Sequence, residues 1–354
     1  MKVLAVNSSP RVGTVSKTEM MLDRLVAGLR EGGAEVEVVN LHKKKINYCV
    51  GCFTCWTKTP GSCAQKDDMT EELFPKYIES DLCVLATPLY HYTVNAQMKA
   101  FIERTLPVLE PFFVEREGVT THPFRNSLPG TVILSGAAFP EPSVFDHMRS
   151  YVQFLFRDWL VAEIYRPSSE SLSRGGSNAV VTDVFDALEQ GGRELAKSKC
   201  ISPETLGRIE QPLETFESMA PLTNLVWRTC INNGVTLGEF RKKRMRLRPD
   251  SVDSFLGLLA YGFKAKAAED VSATIQYKFS EEVEGVCYVS VQDGVLDTGI
   301  GGLDEPDVTI EVPFEVWMDV LEGKSKVEEL VADGRVRIEG DWSVLGQLKK
   351  AFRH

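Results

Sequence analysis

Four of the eight cysteines fall within fifteen residues, as Cys49-x2-Cys52-x2-Cys55-x7-Cys63. Thiolates are soft ligands and nucleophiles, so a run this dense is the first place to look for chemistry. Three cysteines at successive x2 spacing can wrap one face of a cuboidal iron–sulfur cluster, with Cys63 closing it. Tetrahedral zinc uses the same residue type, but two x2 spacings in a row are tight for it. A thiol-lined loop is the third reading, and spacing alone does not separate the three. Cys83, Cys200, Cys230 and Cys287 are scattered and read as small buried apolar residues. His42, His122 and His147 are scattered too and read as ordinary loop or helix residues.

A second constellation lies near the start. A short apolar run ends in Asn7-Ser8-Ser9-Pro10-Arg11, and a helical pattern opens at Ser16-Lys17-Thr18. Hydroxyls, backbone N–H groups and the positive end of a helix together suit a phosphate, and Arg11 adds a charge-assisted contact. The loop has neither Gly-x-Gly-x-x-Gly nor Gly-Lys-Ser/Thr, so the dinucleotide fingerprint and the Walker loop are absent. A polar helix cap with no ligand explains the same residue types.

These loops need a frame. Over the first 200 residues, strand-like runs (2–6, 35–41, 81–86, 130–134 and 161–165) alternate with helical patterns (16–31, 95–109, 143–159 and 177–199). The third strand is almost wholly apolar, as expected when both faces are covered. Such alternation predicts an α/β fold, a flavodoxin-like doubly wound parallel sheet of order 2-1-3-4-5. Residues 201–250 read as a helical connector, with Ser202-Pro203-Glu204 as a helix start. From 251 onward the pattern changes to a helix (253–263), strands (272–279, 286–291, 295–298, 307–311), helices (313–321, 327–332), a strand (335–338) and a last helix capped by Asp341. That order predicts an α+β domain with an antiparallel sheet. The expected domains are therefore 1–200, 201–250 and 251–354.

Composition sets outer limits. The chain has 354 residues, 43% of them apolar and 25% charged, which is ordinary globular usage. No apolar run approaches the roughly 18 residues of a spanning helix, and the opening residues do not read as a signal peptide. A cytoplasmic protein without a transmembrane segment is expected. Net charge is −10, a poor basis for nucleic-acid binding. From Asp250 on there are 21 acidic and 10 basic residues, against 29 and 30 before it. The one basic run, six of eight residues in Arg241–Arg248, reads as a solvated linker resting against the acidic C-terminal part.

The stretch Ser8-Ser9-Pro10-Arg11 with Ser16-Lys17-Thr18 resembles the phosphate loop of the NAD(P)H-dependent FMN reductase family. Ala86-Thr87-Pro88-Leu89-Tyr90, with the helix Ala96-Gln97-Met98-Lys99-Ala100-Phe101-Ile102-Glu103-Arg104, resembles its second flavin loop. Ser135-Gly136-Ala137 sits where the third falls. The resemblance covers roughly residues 1–200. It implies that Ser9, Arg11, Ser16, Lys17 and Thr18 hold the FMN phosphate, that Thr87, Pro88, Leu89 and Tyr90 line the isoalloxazine, and that Ser135 and Gly136 meet its far edge. In such proteins the flavin does the chemistry with NAD(P)H as donor, so no side chain is named as acid or base. The cysteine spacing, followed by Asp67-Asp68-Met69, resembles that of the iron–sulfur flavoproteins of the same flavodoxin-like group. The final x7 is at the long end, with Thr59-Pro60-Gly61 supplying an extra turn. The resemblance implies Cys49, Cys52, Cys55 and Cys63 as ligands of a 4Fe–4S cluster. Relatives with a similar Cys-x-Gly-Cys-x-x-Cys-Trp stretch leave a thiol-lined loop open as well.

Residues 250–354 resemble a sterol-carrier-protein type domain. The features are Gly285-Val286-Cys287-Tyr288-Val289, Asp293-Gly294, Asp304 to Ile310, Gly323-Lys324 and Arg337-Ile338-Glu339-Gly340-Asp341. The resemblance implies an apolar, lipid-like ligand; a packed domain used only for docking is the plainer alternative. Three functions follow: an FMN-dependent NAD(P)H oxidoreductase serving a small, quinone-like electron acceptor, an iron–sulfur flavoprotein electron carrier, or a lipid carrier or redox-gated sensor with little turnover. A homo-oligomer is expected by resemblance.

Overall fold

The computed structural model describes residues 1–352, which leaves His354 outside the described residues. It divides into two compact units, one of Met1–Thr215 and one beginning at Phe216. Among the described residues no helix is long and apolar enough to cross a membrane.

The first unit is a five-stranded parallel sheet. In chain order its elements are β1 (Lys2–Asn7), α1 (Lys17–Glu31), β2 (Glu35–Asn40), α2 (Phe74–Glu79), β3 (Leu82–Pro88), α3 (Ala96–Glu103), β4 (Gly130–Gly136), α4 (Asp146–Phe156), β5 (Leu160–Arg166), α5 (Ala179–Ser198) and α6 (Pro203–Glu210). Strand order is β2-β1-β3-β4-β5 with every pairing parallel, the flavodoxin-like arrangement expected from the alternation. The strands read as unbroken apolar runs because each sends alternate residues into two cores. Val3, Ala5, Val84, Ala86, Val132, Leu134 and Ile164 join the core under α1 and α5. Leu4, Val6, Cys83, Leu85, Ile133 and Tyr165 join the core on the other face.

Three details differ from the sequence expectation. The helix expected to reach Leu109 stops at Glu103, because Pro107 cannot bond back to the preceding turn; a 3₁₀ turn, Leu106–Val108, follows. The pattern also gave no warning of α2, entered through a π-turn at Met69–Leu73, or of a small hairpin, Val114–Arg116 with Val119–Thr121.

The second unit holds α7 (Phe216–Asn232), α8 (Leu237–Lys243), α9 (Val252–Gly262), β6 (Ser272–Ser280), β7 (Gly285–Gln292), β8 (Val295–Ile300), β9 (Val308–Pro313), α10 (Phe314–Leu321), α11 (Val327–Ala332), β10 (Arg337–Gly340) and α12 (Ser343–Ala351). The sheet order is β8-β7-β6-β9-β10. The wholly antiparallel sheet expected here is corrected to a mixed one, since β9 runs parallel to β6. The chain leaves β8 through Gly301-Gly302, crosses the outer face of β6 and returns in the same direction. Gln276 Oε1 accepts the Leu303 N–H at 2.7 Å, and the Thr274 hydroxyl donates to Asp307 Oδ2 at 2.7 Å, so the crossing is pinned by outward side chains of β6. The inner face (Ala273, Ile275, Tyr277, Phe279, Cys287, Val289) packs under Phe255, Phe314, Trp317 and Leu348. Asp341 is not the cap residue of α12; Trp342 holds that place, while Asp341 Oδ1 accepts the Ser343 N–H at 2.9 Å from one position earlier. The last residue of the basic run, Arg248, pairs with Glu315, Asp319 and Glu322 at 2.5, 2.9 and 2.8 Å, as the linker reading anticipates.

Candidate functional site

Parallel α/β sheets place ligands at the carboxyl ends of their strands, and three loops meet there. The loop after β1 is folded by its own short polar side chains. Asn7 Oδ1 accepts the Ser9 N–H at 3.0 Å, Ser16 Oγ donates to Ser9 Oγ at 2.8 Å, and Ser16 caps α1 by accepting the Glu19 N–H at 3.1 Å. Gly13, at φ +61°, makes the turn that brings Ser16 back toward Ser9. Ser9, Ser16, Lys17 and Thr18 are all buried, while Arg11 is half exposed and reaches Glu170 at 3.3 Å. The Lys17 ammonium is buried at the positive end of a fifteen-residue helix, 3.8 Å from the Glu170 carboxylate. Cationic charge gathered at a helix start suits an anion.

The loop after β3 is tied to the first by a residue that sequence reading missed. Asn95 is buried; it caps α3 by accepting the Met98 N–H at 3.0 Å and donates Nδ2–H to the Ser8 carbonyl at 2.7 Å. Its backbone N–H also reaches Thr87 Oγ1 at 3.2 Å. Its signal in the sequence is only that of a good helix cap. Between them, Tyr90 and Thr93 exchange backbone hydrogen bonds around His91 and Tyr92, at φ +46° and +63°. Two left-handed non-glycine residues in one turn are costly, and such strain concentrates at ligand loops. Tyr90, at its start, and Tyr92, at its centre, stand well exposed.

The third loop joins the second through the Leu89 N–H, which donates to the Gly136 carbonyl at 3.3 Å. Gly136 leaves little space: a Cβ there would sit 3.0 Å from Ser169 Cβ. Ser135 is fully buried and, among the described residues, its hydroxyl has no hydrogen-bond partner, nor has the buried hydroxyl of Ser168. Buried hydroxyls without partners are rare. Here they lie at the strand ends where a polar ring edge would meet them, so these residues fit FMN. The structure thus brings the three groups of sequence-expected residues onto one end of the sheet.

The cysteines lie on the long loop between β2 and α2. Cys55 is buried, Cys49 and Cys63 are partly buried and Cys52 is exposed. Left-handed Gly51, Phe53 and Gly61 fold the loop back on itself, and the Gly61 N–H donates to the Cys55 carbonyl at 3.0 Å. All four cysteines line one pocket, together with Arg104 and Pro107. Burial pushes the Cys55 thiol up, and its three companion cysteines add to the effect; hydrogen bonding at Thr54 holds the exposed Cys52 thiol down. Among the described residues no three His, Cys, Asp or Glu side chains are grouped as ligands of a single metal ion. One tetrahedral zinc would need sulfurs about 3.8 Å apart, given Zn–S bonds near 2.3 Å. The donor set, four thiols around one pocket, is that of a cuboidal iron–sulfur cluster as much as of zinc.

The Asp67-Asp68-Met69 stretch holds this loop in place. Asp68 Oδ2 accepts the Lys45 N–H at 2.7 Å and Asp67 Oδ2 accepts the Asn47 N–H at 2.9 Å. Asp67 also forms a two-pronged ion pair with Arg104, at 2.7 and 2.9 Å, both side chains being almost fully buried. Burial pulls the Asp67 carboxyl up, but the hydrogen bonds from Arg104, Asn47 and Thr70 outweigh it and hold the group below the usual carboxylate range. Its stabilisation is therefore full above the unfolded value and is lost as pH falls through the lower folded value. Asp67→Asn is expected to cost about 2 kcal/mol at neutral pH, the worth of hydrogen bonds to a charged group. In urea unfolding the gap should hold above about pH 5 and shrink below about pH 4. A gap of unchanged size at about pH 2 would contradict this assignment.

Comparison with known proteins follows the same division. Residues 1–149 match the family NADPH-dependent FMN reductase, and residues 245–354 match the family alkyl sulfatase C-terminal rather than the sterol-carrier type named by resemblance. An iron–sulfur flavoprotein of Archaeoglobus fulgidus is 49% identical over 108 residues, which is 30% of this chain and 46% of that protein. One from Methanocaldococcus jannaschii is 36% identical, over 31% of this chain and 52% of that protein. An FMN-dependent NADH:quinone oxidoreductase of Azospirillum brasilense is 30% identical, over 29% and 53%. The chain spans about half the length of these curated relatives. The chain is thus similar to the NADPH-dependent FMN reductase family over residues 1–149 and to the alkyl sulfatase C-terminal family over residues 245–354.

Proposed function

We propose that the first unit binds FMN and acts as an NAD(P)H oxidoreductase toward a small, quinone-like acceptor. The observation that carries this reading is the set of three loops joined at one end of the sheet. Buried Ser9, Ser16, Lys17 and Thr18 sit at the start of α1, and the unpartnered Ser135 hydroxyl lies at the end of β4. FMN, when bound, would take a hydride from the nicotinamide and pass electrons on. Ser9, Arg11, Ser16, Lys17 and Thr18 would hold its phosphate; Thr87, Pro88, Leu89 and Tyr90 would line the ring; Ser135 and Gly136 would meet its edge. The chain's own work is to bind, orient and exclude water. The likeness to an FMN-dependent NADH:quinone oxidoreductase of Azospirillum brasilense supports the donor and acceptor classes.

A second reading is favoured by the four-cysteine pocket and by the 49% identity to an iron–sulfur flavoprotein. On it, Cys49, Cys52, Cys55 and Cys63 hold a 4Fe–4S cluster, which when bound would exchange single electrons. The fused domain would serve an apolar molecule, a role in keeping with the apolar inner face of its sheet, Ile275, Tyr277, Phe279 and Val289, under Phe255 and Trp317. A homo-oligomer is also proposed, as the family resemblance implies.

An anaerobic ultraviolet–visible spectrum of fresh protein, with and without NADPH, tests both readings. Resolved flavin bands that bleach on NADPH are expected, with a broad shoulder and acid-labile sulfide if the cluster is present. Flavin bands that stay unbleached by NADPH and NADH would remove the nicotinamide reaction. A spectrum with neither feature after FMN addition would remove the flavin itself.

A further inference from the structure

The Arg104 guanidinium sits in the wall of the cysteine pocket, and its donors can be accounted for one by one. Guanidinium carries five N–H bonds. Nη1 donates to the Asn47 carbonyl and to Asp67 Oδ2, both at 2.7 Å. Nη2 donates to Asp67 Oδ1 at 2.9 Å and to Thr70 Oγ1 at 2.8 Å. Only Nε–H remains, and among the described residues it makes no hydrogen bond of good geometry. The residue is only 2% exposed, so water does not supply the missing acceptor from bulk solvent. Cys63 acts on the guanidinium through its charge and through a side-chain contact of hydrogen-bonding type. A buried cationic donor held by four hydrogen bonds, with its fifth N–H unused beside a cysteine pocket, is arranged for a sulfur acceptor.

We propose that Arg104 is a positioning residue for the cysteine pocket: its Nε–H donates to the Cys63 sulfur when a 4Fe–4S cluster is bound, and this hydrogen bond raises the cluster's midpoint potential. The proposal rests on the cluster reading given above. A donor to a ligating sulfur favours the reduced, more negative state, and hydrogen bonds to sulfur are among the levers that set such potentials. Asp67 holds the guanidinium in register and balances its charge, so the effect acts through one directed N–H.

The test uses the full chain, isolated and titrated without oxygen, with iron and sulfide measured on every sample. Arg104→Lys keeps a cation for Asp67 but removes Nε–H. It is expected to retain iron and sulfide and to lower the reduction equilibrium constant about tenfold, or about 59 mV for a one-electron couple. In case Arg104→Lys does not fold, wild-type protein labelled with guanidino-¹⁵N arginine supplies a second readout. Pulsed EPR of the reduced sample should show a ¹⁵N coupling to the cluster. Iron and sulfide in full amount with an unchanged potential in Arg104→Lys, or no ¹⁵N coupling in wild type, would overturn the role of Arg104 alone. Wild type that holds no iron or sulfide, even after anaerobic reconstitution, would overturn the cluster reading and this inference with it.

Discussion

Lys17→Met is expected to weaken FMN binding about 100-fold, close to 2.8 kcal/mol at 1.4 kcal/mol per decade, while leaving riboflavin binding unchanged. The reason lies in where the ammonium sits. Lys17 is buried at the first turn of α1, where the backbone already presents positive charge. Burying a cation at that end of a helix is unfavourable unless an anion offsets it. In the structure Glu170 stands 3.8 Å away with its carboxylate 43% exposed, so solvent screens that pair. A phosphate dianion is the stronger partner, and charge-assisted contacts to it exceed neutral ones. Methionine keeps most of the volume and removes the charge, so folding is not the variable under test. Fluorescence titration with FMN and riboflavin in parallel separates the phosphate from the ring. Equal weakening of both ligands would mean that Lys17 supports the loop's shape; no weakening of either would move the phosphate elsewhere.

The three loops differ in how much of them the sequence disclosed. The strands of the first sheet were legible because burial on two faces forces apolar runs, as in Leu82 to Ala86, and those runs end where the ligand loops begin. Ser16 was legible as a cap for a local reason: its partner, the Glu19 N–H, is three residues away. The tie from Asn95 to Ser8 spans 87 residues and leaves no local trace. The same holds for Asp67 and Arg104, 37 residues apart, whose pairing turns a plain Asp-Asp-Met stretch into the anchor of the cysteine loop. The turn at His91-Tyr92 was hidden for another reason. Left-handed backbone is usually announced by Gly or Asn, and here neither is present. The hairpin at Glu117-Gly118 did carry such a glycine, but its strands are three residues each and lack an apolar face to signal them. In the second unit, alternation located every strand, while the parallel pairing of β6 with β9 depends on a crossing held by Gln276 and Asp307 that no periodicity encodes.

Gly192→Ala is expected to destabilise the first unit by about 3 kcal/mol or more, since overpacking against backbone has no rotamer through which to relax. α1 and α5 cross with their backbones in contact. A Cβ on Gly192 would stand 2.2 Å from the Leu25 carbonyl oxygen and 2.6 Å from the Leu29 nitrogen. On the facing helix, a Cβ on Gly28 would stand 1.8 Å from the Glu189 carbonyl oxygen. Neither neighbour is a flexible side-chain end, so the helices themselves must separate. Separation opens the core formed by Leu22, Leu25, Leu29, Val184, Leu188 and Leu195, all nearly fully buried. It also moves α1, whose first turn carries Ser16, Lys17 and Thr18, so FMN affinity should fall together with stability. Helix propensity pulls the other way, because alanine is favoured over glycine in a helix interior by about 1 kcal/mol. Gly207→Ala isolates that opposing effect: Gly207 is exposed in α6, a methyl group there would meet nothing within 4 Å, and its replacement should be neutral or slightly stabilising. Thermal unfolding of the two variants side by side should lower the Gly192→Ala midpoint by ~6–12 °C for a unit of this size and leave that of Gly207→Ala unchanged or higher. Equal midpoints would mean that the helices can part without loss, and that the glycines at their crossing do not set the position of the phosphate loop.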